Sequence, residues 1–548
     1  MPSRAYNNRV VVSGETQRGA EMAKMDRRTF ITGLGAAVTL APGLTLRASA
    51  ATGDANPDLT KINPKFLISP KDAHALHLVK DSHGGPTLSG TPSWKNYIEL
   101  LEAELRKAGV VDVFRNPFTY TRWYTSEWPD DSNWSLHVDG TKVKVANYGC
   151  NSGKTPDDGV TGNLVVYKAG MPPESLRGKI AIVEKTAVED PLASAAGGRT
   201  GDYEYLSNPE TFPDAAFPAK PQGEICNPFG LMGLGRAEQE LTAGGAIGAL
   251  IVLPMSYDAL SGVYTFAVPK LHEMPSLYLD RDAGAQMKEA AAVGKSARLR
   301  LVSKTEEVEA HQLFGYLPGR DYGKPEDKMV LLVTHTDGPS ISQENGGLGI
   351  LSMVKYFSHI PQAERPRSLM IFYDCRHYLP GMERAFVPQD YASSHPDVYK
   401  SVIAAMGIEH LGQIQVVEES GKPYHRTNLA ELSSVWATNN QHLVDLAIKA
   451  VKDNQVPRVQ VECPGRPGIH GGEQGPWYGL GNIARRIGVP GASTMGSMSA
   501  YWSTKARIDY LDAHHFVRQV AAMSQICGEL MLADLDTIKS APAAAPKA

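Results

Sequence analysis

Apolar and polar residues recur along the chain with changing period, and the changes divide it into segments. Tyr97, Leu100, Leu101 and Leu105 lie three and four residues apart between a Ser/Thr-Pro start and Gly109, a spacing that predicts an amphipathic helix with one buried face. A strand over 110–114 follows. Farther on, the apolar runs shorten to strand length behind Gly or Pro turns, at 162–167, 178–184, 246–253, 275–279 and 297–301. Helices are expected between them over 237–244 and 284–292. The stretch 190–228 has no period and many Gly, Pro and aromatic residues, which predicts a long loop. Beyond it, continuous apolar runs at 314–319, 329–334, 368–373 and 401–408 read as buried strands and 346–359 as a helix. This order predicts an α/β fold with a central mixed sheet flanked by helices. An amphipathic helix over 512–532 closes the pattern.

Composition limits what such a chain can be. It has 548 residues, 42% hydrophobic and 21% charged, values of a globular protein too long for one core. The expected division is a signal region at 1–50, an N-terminal part of the main domain at 51–149, with a linker over 56–70, a small β-rich insertion at 150–305, the main α/β part at 306–535 and a disordered Ala/Pro tail at 536–548. A net charge of −4 leaves no basic footprint for nucleic acid, so a small-molecule substrate is expected. Cys150, Cys226, Cys375, Cys463 and Cys527 form no Cys-X-X-Cys pair. At the start, Arg27-Arg28-Thr29-Phe30 precedes a Gly/Ala-rich apolar run and then Ala48-Ser49-Ala50, the order of a twin-arginine export signal with its cleavage site. Periplasmic or secreted location follows, and the run is too short to span a membrane.

The candidate chemistry begins where the strand at 329–334 ends, presenting His335 and Asp337 and then Glu344 before a Gly-started helix. Polar residues at strand C-termini are where open α/β sheets build sites, and imidazole beside carboxylates suits zinc. Asp374-Cys375-Arg376-His377 follows the next apolar strand, and Glu409-His410 the one after.

His335-X-Asp337, Glu344-Asn345-Gly-Gly, the Asp374–His377 run with Gly381, Glu409-His410-Leu-Gly412 and Gly488-Val-Pro-Gly occur in an order that resembles the co-catalytic zinc aminopeptidases, carboxypeptidase Q-like peptidases among them. The resemblance extends over about residues 64–530 and implies that the β-rich insertion is a protease-associated domain. It also implies metal ligands at His335, Glu344 and Glu409. The same resemblance marks a departure. Cys375-Arg376 stands where the family carries a Glu-Glu pair, and Trp502 where it carries a ligating His. Neither Arg nor Trp ligates zinc.

Three readings follow. In the preferred one, an exported hydrolase cleaves an amide or ester of a small, partly apolar substrate with a single ion, zinc or another divalent metal. His335, Glu344 and Glu409 hold it together with one or both of His377 and His410, Asp337 accepts the other ring N–H of His335, and His377 or Asp374 handles the proton. In the second, no metal binds, and Asp374, Cys375, Arg376 and His377 form the cluster of a lyase or isomerase, with the Cys375 thiolate favoured by its neighbours. In the third, the chain is a periplasmic binding protein on an inactive peptidase fold. The Gly/Pro-rich loop with His470, Glu473 and Trp477 and the aromatic pair Tyr501 and Trp502 are expected to shape the substrate pocket, with His470 or Glu473 as a further acid or base.

Overall fold

The apolar runs read as buried strands are buried at nearly every position. In Met329–His335 six of seven residues are buried, and Ser368–Asp374 is buried throughout. A strand with no polar face must be covered on both sides, and these two lie side by side in parallel, with Val402–Gly407 parallel on the other flank. The computed structural model describes residues 58–82, 85–185, 203–211, 233–264, 271–379, 399–417, 424–464, 477, 479–496 and 503–538. The export signal, most of the 190–228 loop and nearly all of the Ala/Pro tail fall outside them. So do His470, Glu473, Tyr501 and Trp502.

Among the described residues the main sheet has nine strands, in the order Val111–Tyr124, Lys304–Leu317, Ser368–Asp374, Met329–His335, Val402–Gly407, Gly491–Gly496, Ser433–Ala437, Val459–Glu462 and Tyr205–Leu206. The three central pairings are parallel and the outer ones mixed, so the expected central mixed sheet is present. Its first strand is longer than expected, because polar residues after Phe114 interrupt the apolar pattern. Pro117 is tolerated there because an edge strand leaves one row of N–H groups unpaired.

Among the described residues, Pro92–Lys107, Gly346–Ser358, Gln441–Asp453, Asn482–Ile487 and Ala513–Leu532 pack on this sheet, and Pro70–Asp81 packs on Pro92–Lys107 and Ala513–Leu532. In Pro92–Lys107, Thr91 Oγ1 accepts from the Trp94 N–H, and the buried face is Trp94, Tyr97, Ile98, Leu101 and Leu105. Leu100, expected on that face, lies about 60° off it and is only half-buried. Gly346 and Gly347 let their helix approach closely. A Cβ on the first would lie 2.1 Å from Ile408 O, and one on the second 2.6 Å from Tyr97 Oη. The first helix, Pro70–Asp81, begins where the expected linker over 56–70 ends, in a stretch to which the sequence reading gave no element.

Among the described residues a second sheet has eight strands, Thr141–Val143, Trp134–Val138, Ser296–Leu301, Val160–Val166, Ile180–Glu184, Gly248–Val252, Ser276–Leu279 and Asn147–Tyr148 in spatial order. Three of these precede residue 150. Its helix Arg281–Ala292 starts three residues before the expected point because Asp280 caps it, Oδ1 accepting from Ala283 N at 3.0 Å. No helix among the described residues is long and apolar enough to cross a membrane.

Two histidines tie stability to pH. Burial pushes His515, on Ala513–Leu532, down to about 4 and His77, on Pro70–Asp81, down to about 3. Both are neutral in the fold and titrate near 6.5 when unfolded. Their contribution is therefore intact above pH 6.5 and lost as pH falls toward their folded values, at about 1.4 kcal/mol per unit each. Between pH 6.5 and 5, His515→Leu is expected to lose about 2 kcal/mol less stability than wild type in urea unfolding. Equal losses would remove burial of His515 as the cause.

Candidate metal centre

Strand register assembles the site. His335 lies opposite Asp374, and Val333 opposite Gly407, so Glu409 and His410 emerge just past the end of Val402–Gly407 at the same sheet edge. His335 Nε2, a Glu409 oxygen and a His410 ring nitrogen all fall within 4.8 Å of one another, and all three residues are buried. Glu409 Oε2 is 3.5 Å from His335 Nε2 and 3.6 Å from His410 Nε2.

The surroundings decide which atoms face the centre. His335 Nδ1 donates to the carbonyl oxygen of Asp337 at 2.7 Å, so Nε2 is the ring nitrogen turned inward, facing Glu409 Oε2 at 3.5 Å. The expected acceptor, the Asp337 carboxylate, is 3.9 Å away, because the chain turn brings the peptide oxygen closer than the side chain. Glu409 Oε1 accepts from Leu480 N at 2.8 Å, which leaves Oε2 for the histidines. Gly479 makes room for this, since a Cβ there would lie 2.1 Å from Glu409 Oε1. His410 holds a left-handed φ of 58°, a conformation non-glycine residues adopt at a cost.

Electrostatics fit the geometry. Burial works against charge on both His335 and Glu409, but their mutual attraction outweighs it. The histidine is raised above its ordinary value, and the carboxylate, helped also by His410, is lowered below its own. Burial takes His410 the other way, down to about 4. Once the proton that the His335–Glu409 pairing favours gives way to a cation, His335 Nε2, Glu409 Oε2 and a second imidazole are donor types suited to zinc with an open fourth position. His410 fits least easily. The Gly496 N–H faces its Nδ1 at 3.3 Å, so its Nε2 serves a cation only if the ring proton passes to Nδ1 and that contact opens.

Glu344 is not part of this group. Its carboxylate is bonded by the Lys80 ammonium, both side chains being fully buried, and by the Thr87 hydroxyl, with the Thr87 N–H at 3.0 Å. Arg507, itself held to Asp81, adds a second positive charge 3.5 Å away. Three hydrogen bonds and a second cation take up most of its acceptor sites, so it competes poorly for a metal. The sequence reading missed Lys80 and Thr87. The available signal was Ala73, His77 and Lys80 at four- and three-residue spacing, which places a lysine on a buried helix face.

The Asp374–His377 segment is also ordered differently from the expectation of a reactive thiol. Burial and the carboxylates of Asp374 and Asp337 push the Cys375 thiol well above its ordinary range, overriding Arg376, and Cys375 Sγ lies 3.2 Å from His311 O. Its thiolate is disfavoured. Arg376 pairs with Asp374, Nε to Oδ1 at 3.4 Å, and Asp374 Oδ1 also accepts from Cys375 N at 2.7 Å. Asp337, raised by burial to about 6, accepts from Tyr378 N at 2.8 Å. The His377 ring stacks on His335 with centroids 4.3 Å apart, beside the donor group rather than in it. Trp477 is packed, not presented: it is buried and its indole N–H donates to Ser493 Oγ at 2.8 Å.

No family model matches the chain, and no curated protein does. Solved structures do. A peptidase M28 precursor from Shewanella amazonensis SB2B is 14% identical with a TM-score of 0.56, over 87% of this chain and 99% of its own. The zinc aminopeptidase BSAP from Bacillus subtilis is 13% identical with a TM-score of 0.53, over 86% and 98%. An aminopeptidase from Aneurinibacillus sp. strain AM-1 is 11% identical with a TM-score of 0.51, over 84% and 93%. At such identity the likeness is one of fold, and the fold is of the zinc-aminopeptidase kind.

Proposed function

We propose that the protein is an exported hydrolase that cleaves an amide or ester bond in a small, partly apolar substrate, using one divalent cation, zinc by preference, held by His335, Glu409 and His410. The observation that carries this reading is the convergence of those three donor atoms, with His335 Nε2 turned inward toward Glu409 Oε2. The fold shared with zinc aminopeptidases supports it, as does the position of the cluster at the C-terminal edge of parallel strands. The eight-stranded layer is read as a protease-associated insertion that narrows access, and the twin-arginine signal as the route of export.

A cation at this centre would supply Lewis-acid polarisation of the scissile carbonyl and activation of water. The residues do the rest. Asp337, through its carbonyl oxygen, fixes the ring of His335, and Leu480 fixes the carboxylate of Glu409. His377, stacked on His335, is assigned the proton transfer to the leaving group. Arg376 and Asp374 neutralise each other and brace the segment that carries His377.

The test is a panel of aryl esters and acyl anilides assayed with and without 1,10-phenanthroline. Turnover is expected to disappear with the chelator, to return with added zinc, and to survive Cys375→Ser within about twofold, since a buried, protonated thiol is not a nucleophile. Turnover that resists the chelator and collapses in Cys375→Ser would overturn the reading.

A further inference from the structure

Backbone pairing between Val402–Gly407 and Gly491–Gly496 stops at Gly407 and Ser493, yet two residues beyond that point are held at both of their peptide groups. Thr494 Oγ1 accepts from the Glu409 N–H at 3.1 Å and donates to the Glu409 carbonyl oxygen at 2.9 Å. Asn345 does the same for Leu411. Its Oδ1 accepts from the Leu411 N–H at 3.0 Å, and its Nδ2 donates to the Leu411 carbonyl oxygen at 2.7 Å. All four residues are buried, so these peptide groups need partners. Here the partners are side chains from two separate elements, and they grip the residues on either side of His410.

His410 is the residue that requires such a grip. Its φ of 58° is left-handed, and a non-glycine residue keeps that conformation only where its surroundings over-determine it. Gly496 leaves the space, since a Cβ there would lie 2.8 Å from His410 Cβ. Asn345 is itself fixed in orientation. His77 Nδ1 donates to Ala73 O at 2.7 Å, so His77 Nε2 accepts, and it faces Asn345 Nδ2 at 3.2 Å. A flipped amide would lose that bond and both bonds to Leu411. With its neighbours anchored, His410 has only to turn its ring from the Gly496 N–H to meet a cation.

We infer that Thr494 and Asn345 are positioning residues, which hold His410 in its left-handed conformation and so pre-form the cation site. The inference rests on the metal reading of the His335–Glu409–His410 group. It adds that cation affinity depends on two side chains outside the donor set.

The test measures zinc affinity of the metal-stripped mature protein by competition with a chromophoric chelator, with urea unfolding to confirm that each variant is folded. Thr494→Val keeps the shape and removes both bonds to Glu409, and should weaken zinc binding about tenfold. Thr494→Ser, which keeps the hydroxyl, should stay within about threefold of wild type. Asn345→Ala should also weaken binding about tenfold. In a His410→Ala background, the same Asn345→Ala should cost no more than about twofold further, because Asn345 reaches the donors through Leu411 and His410. A merely structural loss would be of equal size in both backgrounds. If Asn345→Ala does not fold, Thr494→Val and its rescue by Ser carry the test. Folded variants that bind zinc as tightly as wild type, or equal Asn345→Ala losses in the two backgrounds, would overturn the inference and leave the metal reading intact. A wild-type protein that takes up no zinc would contradict the metal reading, and the inference with it.

Discussion

Glu409→Gln is expected to lower kcat/KM by about 10³-fold, roughly 4 kcal/mol of transition-state stabilisation, and to release the bound cation. The substitution is close to isosteric. Its amide oxygen still accepts from Leu480 N, so the fold around Gly479 is kept while the negative charge between His335 and His410 is lost. Without that charge, the two imidazoles hold a cation with neither the carboxylate ligand nor its neutralisation. His410→Ala should cost less, about 10- to 100-fold, because the Gly496 N–H already competes for that ring. Steady-state kinetics of both variants, with zinc content measured in parallel, check the order. If His410→Ala proves the more damaging, the weighting of the three ligands is wrong.

Lys80→Met should destabilise the protein by about 3–5 kcal/mol, because it leaves the Glu344 carboxylate buried with Arg507 as a more distant cation. Burying an ion pair is costly, but breaking one is worse, since the remaining charge keeps its desolvation penalty. The double variant Lys80→Met/Glu344→Gln is therefore expected to regain most of the loss. Urea unfolding of the single and double variants measures the coupling. Additive losses would show that Lys80 acts through packing against Tyr97 instead of through Glu344. The pair also bears on metal stoichiometry. With Lys80 in place, Glu344 is already paired, and the account expects one ion per chain.

The central sheet was legible because its strands are buried on both faces, and buried parallel strands leave continuous apolar runs that need no partner to be recognised. The edge strand Val111–Tyr124 was cut short because half of it faces water, and its polar residues read as loop. The site was legible in part. His335, Glu409 and His410 follow apolar runs directly, so their place at the sheet edge could be read from the chain. Glu344 misled, since what disables it is Lys80, 264 residues away in sequence and brought close only by the packing of Pro70–Asp81. Cys375 misled for a similar reason. Its sequence neighbours are Arg and His, but its spatial surroundings are apolar and acidic, and those set the thiol. Trp477 shows the limit of composition: an aromatic in a Gly-rich loop looked like a substrate wall and is a packed side chain.

The most direct test of the central claim is elemental analysis of the mature protein purified without chelators, beside its Glu409→Gln variant. One equivalent of zinc or another divalent metal per chain, lost in the variant, is the result the His335–Glu409–His410 centre predicts. A wild-type protein that carries no stoichiometric metal and takes up none from added zinc would contradict it.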